Sequence, residues 1–493
     1  MRAPLRTGVL ASAAAAALIA CATLDFHAPA GETAGARFPE TSFAVFSDAH
    51  LFLPELGMGQ PAFEKIKYDD RKMFEHSLAL LRAAMAGIRA ARPAFVLVPG
   101  DLTKDGEEAV HLAMARELQA LREDGIPVYV VPGNHDVNNP RAFRYVGNGT
   151  RRVSNVGPAR FAEIYRDFGY GEALERDPSS LAYVAEPVPG LWLLALDACG
   201  YELNPGRTHE YTPGFFTPGR LAWARSVLER ARGQGKAVIV MLHHGVVEHF
   251  PGQAKQFPEY LVRDRQPFAR MLAQYGVRTV FTGHFHAQNV AGQWWTTDGR
   301  EVRPPDAAAV PEAARFPFDI ETGSLVTYPS PWRLVRIDAS QVMHVRSFHV
   351  TTLEDMPYGF PAYARDYARK GTEPYIIHVL EGYGISEAEA ARIAVRISNA
   401  AIAHYAGDPD LRGAEMYPTT GLSPLGSLAV SMKKDIVEGM WKGALPHADN
   451  DLDIDLSSGR WVKAASEEPA GAAVPAAATA PPAAAAAAPA AVP

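Results

Sequence analysis

Six short apolar runs, each closed by a polar cluster, constrain this chain more than any other feature. They are FAVFSDAH (43–50), AFVLVPGD (94–101), VYVVPGNHD (128–136), LWLLALD (191–197), AVIVMLHH (237–244) and RTVFTGHFH (278–286). Continuous apolar runs of this length read as strands buried on both faces. Helical spacing separates several of them. Leu78, Leu81, Met85 and Ile88 recur within Asp69 to Arg92, Glu107 to Glu123 is closed by Gly125, and Pro218 to Arg232 is closed by Gly233. The alternation predicts an α/β fold, in which ligand sites gather beyond the carboxyl ends of the strands. In the third run Pro132 and Gly133 stop the strand, and Asn134, His135 and Asp136 then follow, three chemically competent groups that a strand does not need.

A chain of 493 residues exceeds one compact core, so two domains with appendages are expected. Residues 1–21 read as a targeting segment. Arg2 and Arg6 precede an apolar stretch, Gly8 to Ala20, that is too short to span a bilayer, which takes ~20 residues. Leu18-Ile19-Ala20-Cys21 resembles a bacterial lipobox, which predicts export to the cell envelope or periplasm and a membrane anchor through lipidated Cys21. Ordinary cleavage after Ala22 is the alternative. Cys199 is the only other cysteine, so with Cys21 lipidated or removed no internal disulfide forms. Residues 22–40 read as a linker, 41–350 as the α/β domain and 351–463 as a smaller, mainly helical domain. The latter holds helices at 384–407, with Ser386 and Glu389 in a capping-box pattern, and at 427–446. The Ala/Pro-rich stretch 464–493 reads as a disordered tail.

The net charge of -7 argues against a dedicated nucleic-acid binder. Taken in order, the polar tips are Asp48-x-His50, Gly100-Asp101, Gly133-Asn134-His135-Asp136, His243-His244 and Gly283-His284-x-His286. Carboxylates, imidazoles and one amide, without thiolates, suit a borderline or hard divalent cation. If the last block continues a strand, His284 and His286 share one face.

The order D-x-H, G-D, G-N-H-D, H, G-H-x-H resembles the signature of the calcineurin-like metallophosphoesterases, and it spans residues 48 to 286. Beyond these blocks VLVPGDLTKDGE, FAEIYRDFGY and ETGSLVTYP are similar to an exported bacterial subgroup that includes cyclic-nucleotide phosphodiesterases. The resemblance implies an αββα sandwich of two central mixed sheets flanked by helices, with two divalent metals (Mn, Fe or Zn). Asp48, His50, Asp101 and His286 would hold the first metal, and Asp101, Asn134, His243 and His284 the second. Asp101 would bridge, and His243 is preferred over His244. Two metals ~3.5–4 Å apart neutralise a phosphoester, acidify a shared water and align the resulting hydroxide for attack. His135 would protonate or stabilise the leaving oxygen, with Asp136 holding its other ring nitrogen. Thr103, Asn138, Asn139, Tyr328 and Arg333 are candidates for the substrate pocket, and Asp197 for a supporting role. The expected activity is hydrolysis of a small-molecule phosphodiester, cyclic nucleotides among the candidates. The alternatives are a phosphomonoesterase or nucleotidase, and a metal-stabilised envelope lipoprotein without turnover.

Overall fold

A computed structural model describes residues 36–68, 71–407 and 421–465. The targeting segment, most of the linker and nearly all of the tail lie outside them, as do Asp69 and Asp70 at the start of the first expected helix. Among the described residues no helix is long and apolar enough to cross a membrane.

In chain order the strands are β1 Thr41–Val45, β2 Phe95–Val98, β3 Val128–Val130, β4 Phe143–Val146, β5 Gly149–Arg152, β6 Glu175–Arg176, β7 Tyr183–Val188, β8 Leu191–Ala195, β9 Ala237–Met241, β10 Thr279–Thr282, β11 Asn289–Gly292, β12 Trp294–Trp295, β13 Glu301–Val302, β14 Phe318–Glu321, β15 Pro331–Ile337, β16 Val342–His349, β17 Leu452–Asp455 and β18 Trp461–Lys463. One seven-stranded sheet runs β18-β17-β16-β15-β1-β2-β3 and a second β11-β14-β10-β9-β8-β7-β6, while β4-β5 and β12-β13 form small separate pairs. Both large sheets are mixed. β1, β2 and β3 are parallel, β15 to β18 antiparallel. In the second sheet β8, β9, β10 and β14 are parallel, with β11, β7 and β6 antiparallel at the edges.

The period-two alternation of a strand explains how the layers assemble. Leu193, Ile239 and Phe281 face the first sheet and join its core. Their chain neighbours Leu194, Val240 and Val280 face outward into a second core. That core is filled by Leu221, Val227 and Leu228 of helix α3 (Pro218–Gly233) and Phe268 and Leu272 of α4 (Arg265–Gln274). The first sheet is covered by α1 (Ser77–Ala91) through Leu80, Leu81, Met85 and Ile88, and by α2 (Glu108–Glu123) through Val110, Met114 and Leu118. Between the sheets Phe43 stacks on Phe95 at 4.8 Å and meets Phe281 edge-on at 5.2 Å, which ties β1 to both layers. The result is the four-layer αββα arrangement.

Among the described residues three helices follow β16: α5 (Phe360–Gly382), α6 (Glu387–Ala406) and α7 (Pro424–Lys442). They have small cores of their own, with Leu380, Ile393 and Val430 in one and Ala400, Val437 and Trp441 in another. Two expectations meet a different structure here. Residues 452–463 do not belong to a helical region. They return as β17 and β18 to the edge of the first sheet, where Leu452 and Ile454 alternate inward. The Ser386–Glu389 box is not formed either. Ser386 is the N-cap residue without a side-chain bond, and Glu389 turns instead to accept from the Ser423 N–H at 2.6 Å, tying α6 to the start of α7.

Truncating Phe43 removes the ring shared by both sheets. Phe43→Ala is expected to cost about 3–5 kcal/mol, measured by denaturant unfolding.

Candidate metal centre

The apolar strands end where a polar cluster begins, and the loops beyond them are stitched to one another. The Asp48 N–H donates to Gly100 O (3.2 Å), His50 N–H to Asp101 O (2.9 Å) and Gly283 N–H to His243 O (3.0 Å). Asp48, His50, Asp101, His284 and His286 all have positive φ, between 36° and 79°. Non-glycine residues adopt this conformation rarely and at a cost. β10 therefore ends at Thr282, and strand alternation does not align His284 with His286. They converge through left-handed turns in the loop beyond it. Glycine is required before two of these blocks for a steric reason. A Cβ on Gly133 would overlap the Asp101 carboxylate, and one on Gly283 would overlap Ser47 and Asp48.

The groups gather around one atom. Asp101 Oδ2 lies 3.4 Å from His50 Nε2, 3.3 Å from His243 Nε2 and 4.0 Å from His135 Nε2. Its other oxygen accepts the His135 backbone N–H at 3.0 Å. On one side Asp48 Oδ1 is 3.3 Å from His286 Nε2, and His50 Nε2 is 3.1 Å from His286 Nε2. On the other side His243 Nε2 is 3.1 Å from Asn134 Oδ1, and His284 closes the group. Asp48, His50, Asp101 and His286 thus form one cluster and Asp101, His243 and His284 a second, with Asp101 common to both. The second ring nitrogens are held elsewhere: His243 Nδ1–H donates to Pro99 O (2.8 Å) and His284 Nε2–H to Glu259 O (3.3 Å). His244 turns away and donates to Thr212 O.

These residues fit cations. Asp48 and Asp101 are buried, and burial of two carboxylates without counter-charge is costly. Burial, with the Lys72 charge next, holds His50 well below the ordinary imidazole range, and burial also lowers His284 and His286. Each neutral imidazole offers one lone pair, and His50 Nε2 and His286 Nε2, 3.1 Å apart, can both turn theirs to one cation when their protons sit on Nδ1. For His243 burial acts downward, but Asp101 and its neighbours outweigh it and push the ring up to about 9, the response of a site that calls for positive charge.

Asp136 corrects the sequence reading. It does not hold His135. Fully buried, it accepts from the N–H groups of Gly133 (2.8 Å), Leu102 (3.1 Å) and Thr103 (3.0 Å), and from the Thr103 hydroxyl. Its work is to clamp the β2 and β3 tips together. The residue facing His135 Nδ1, at 3.2 Å, is Asp105, itself paired with buried Lys104. Lys104-Asp105 directly follow the GDLT stretch, and two opposite charges beside a ligand block were the available cue. The pocket candidates also lie elsewhere. Thr103 serves Asp136, Asn139 Nδ2 donates to His135 O and Asn138 Nδ2 to Tyr201 O. Arg333 is buried and bonds the carbonyls of Glu321 and Asp449. Tyr328 lines a separate cavity. Asp197 accepts from Leu181 N, Cys199 N and Tyr201 Oη, bracing the loop after β8.

A further buried network went unseen in the sequence. Asp319 Oδ2 accepts from Val246 N (2.6 Å) and Val247 N (3.1 Å), Oδ1 from Thr282 Oγ1 (2.6 Å), and His249 Nε2 lies 3.4 Å away. It pins the loop after His243-His244 to the end of β10. The cue was FDIE (318–321), two carboxylates in an otherwise apolar strand.

Above the metal groups lies a cavity of about 320 Å³. Asp101, Asn134, His135, His284 and His286 lie on its floor. Tyr375 and Ile376 of α5, Ile397 and His404 of α6 and Met440 of α7 form its roof.

A two-sheet sandwich with a shared carboxylate between two His-containing clusters is the architecture of a dinuclear metallohydrolase. The family model for calcineurin-like phosphoesterases matches residues 41–288, and the chain belongs to this family. A comparison with curated proteins yields no match. Among solved structures the chain is similar to a dimetal phosphatase from Danio rerio (16% identity, 64% of this chain and 97% of that one, TM-score 0.42). It is also similar to purple acid phosphatase PPD1 from yellow lupin seeds (11% identity, 64% and 52%, TM-score 0.39). A third similar structure is the Thermus thermophilus sulfate thiohydrolase SoxB (15% identity, 69% and 61%, TM-score 0.33).

Because Asp101 Oδ2 is common to both clusters, Asp101→Ala should lose both metals, whereas Asp48→Ala should lose mainly one. Elemental analysis of the purified variants reads this directly.

Proposed function

We propose that the chain is an exported phosphodiesterase, with cyclic nucleotides among its candidate substrates. The observation that carries this reading is the two-sided cavity. Its floor is the metal cluster, and its walls include Phe257, Tyr260, Phe285, Tyr375, Ile376 and Ile397. A phosphoryl group suits the floor, and an ester substituent with apolar or planar surface suits the walls. The similarity of the stretches quoted above to exported cyclic-nucleotide phosphodiesterases supports the same reading.

In this reading Asp48, His50, Asp101 and His286 hold one cation, and Asp101, Asn134, His243 and His284 the other. When bound, the two cations supply Lewis-acid neutralisation of the phosphoryl oxygens and acidify water. The chain's own residues do the rest. Asp105 accepts Nδ1–H of His135, so Nε2 faces the cavity, where it donates a proton to the departing ester oxygen. The His135 main-chain N–H, bonded to Asp101 Oδ1, keeps that imidazole in register with the bridging carboxylate. The roof helices limit water around the reacting group.

A monoesterase is the second reading, favoured by Arg71, Lys72 and Arg141 lining the same cavity, since a monoester dianion draws more from added positive charge. Comparing kcat/KM for bis-p-nitrophenyl phosphate and p-nitrophenyl phosphate decides between them. Preference for the diester is expected, preference for the monoester replaces the reading, and silence on both with metals bound favours an envelope protein without turnover. His135→Ala should lower kcat ~10²–10⁴-fold while both metals stay bound, as checked by parallel kinetics and elemental analysis. We propose lipidation at Cys21 on the lipobox-like sequence alone. Labelled palmitate incorporated by the wild type and absent from Cys21→Ser tests it.

A further inference from the structure

Lys72 is 6% exposed and lines the cavity beside Asp101, His135 and His286. No hydrogen bond or ion pair engages its ammonium among the described residues. The contrast is Lys104, 4% exposed, whose ammonium is paired with Asp105. A buried ammonium without a partner is expensive. It has no lone pair with which to bind a metal, and beside cations it is repelled. Its position therefore calls for an anion between it and the metal groups.

The backbone of Lys72 is held as a functional group would be. The hydroxyl of Tyr367, on α5, donates to Lys72 O at 3.1 Å and also bonds Lys67 O. The next residue, Met73, donates its N–H to Val326 O at 2.7 Å. Helix α5 sits so close to this segment that a Cβ on Gly371 would overlap Tyr68 O.

We propose that Lys72 is the phosphoryl-binding residue of this site, its ammonium donating to a non-bridging oxygen on the side away from the metal groups, with Tyr367 as the positioning residue that sets its reach. This rests on the phosphoesterase reading and adds to it an anion-recognising cation outside the metal-ligand set. It also gives α5 a part in substrate binding.

The test uses the full chain loaded with Mn²⁺. Affinity for inorganic phosphate is measured by calorimetry, with metal content and kcat/KM for bis-p-nitrophenyl phosphate alongside. Loss of one charge-assisted hydrogen bond predicts about tenfold or greater weakening of phosphate binding in Lys72→Met. Both metals should remain, and Lys72→Arg should recover most of the affinity. Tyr367→Phe should weaken phosphate less, and should add nothing in the Lys72→Met background. Unchanged phosphate affinity in Lys72→Met overturns the proposal, as does loss of metal in that variant or absence of phosphate binding in the wild type. Phosphate binding that depends on Lys72 in a chain that hydrolyses neither ester would sink the catalytic reading and leave the Lys72 assignment standing. Turnover with phosphate affinity indifferent to Lys72 would do the reverse.

Discussion

Two carboxylates, Asp48 and Asp101, are buried within one ring of imidazoles, and the rest of the architecture can be understood as what this arrangement requires. Like charges in a low-dielectric interior repel strongly. Cations held by the same groups would neutralise them, and the surroundings leave them nowhere else to go. The surroundings are the two sheets. Their apolar strands bring the loop tips together, and main-chain bonds between tips then hold ligands in left-handed conformations that no isolated loop would keep. Strain at the ligands is offset by the regular packing of Phe43, Phe95 and Phe281 beneath them.

The sandwich and the residues that gather in the two clusters were legible because both are written in local sequence: buried runs in one, side-chain chemistry at run ends in the other. The support around them was not. Asp136 follows His135 directly, and adjacency suggested a partnership. A turn, with Asp136 N–H bonded to Gly133 O at 3.3 Å, folds its carboxylate back beneath the loop, and Asp105 from the β2 side takes the place beside the imidazole. Arg333 read as a pocket residue by its charge, yet it is spent on the carbonyls of Glu321 and Asp449. Glu389 fits a capping pattern, but a backbone N–H brought in from 34 residues away competes successfully for it. In each case the deciding partner is remote in the chain, and nothing local distinguishes the outcomes. The same limit hid β17 and β18, whose few residues become strands only because β16 offers an open edge.

The helices α5, α6 and α7 complete the cavity instead of decorating the fold. Their contribution to its lining is largely apolar, while the sandwich provides most of its titratable groups. They are also joined to the loops that carry the clustered residues by main-chain bonds: Gln288 N–H, two residues past His286, donates to Tyr405 O at 3.0 Å, and Ala444 N–H donates to His249 O at 2.8 Å. Floor and roof are therefore registered to each other, and a shift of α6 would be felt near the His284–His286 turn.

The chain leaves the first sheet after β16 and comes back into it as β17, the immediate antiparallel neighbour, with Val345 opposite Leu452. Adjacent strands stand only ~4.8 Å apart. The whole roof is thus spliced into what would otherwise be an ordinary hairpin connection, and its two ends already lie where a short turn could join them. Such a layout makes the roof an exchangeable module. Lineages could trade one set of helices for another, reshaping what the cavity admits, while every metal-binding residue and every strand of the sandwich stayed in place.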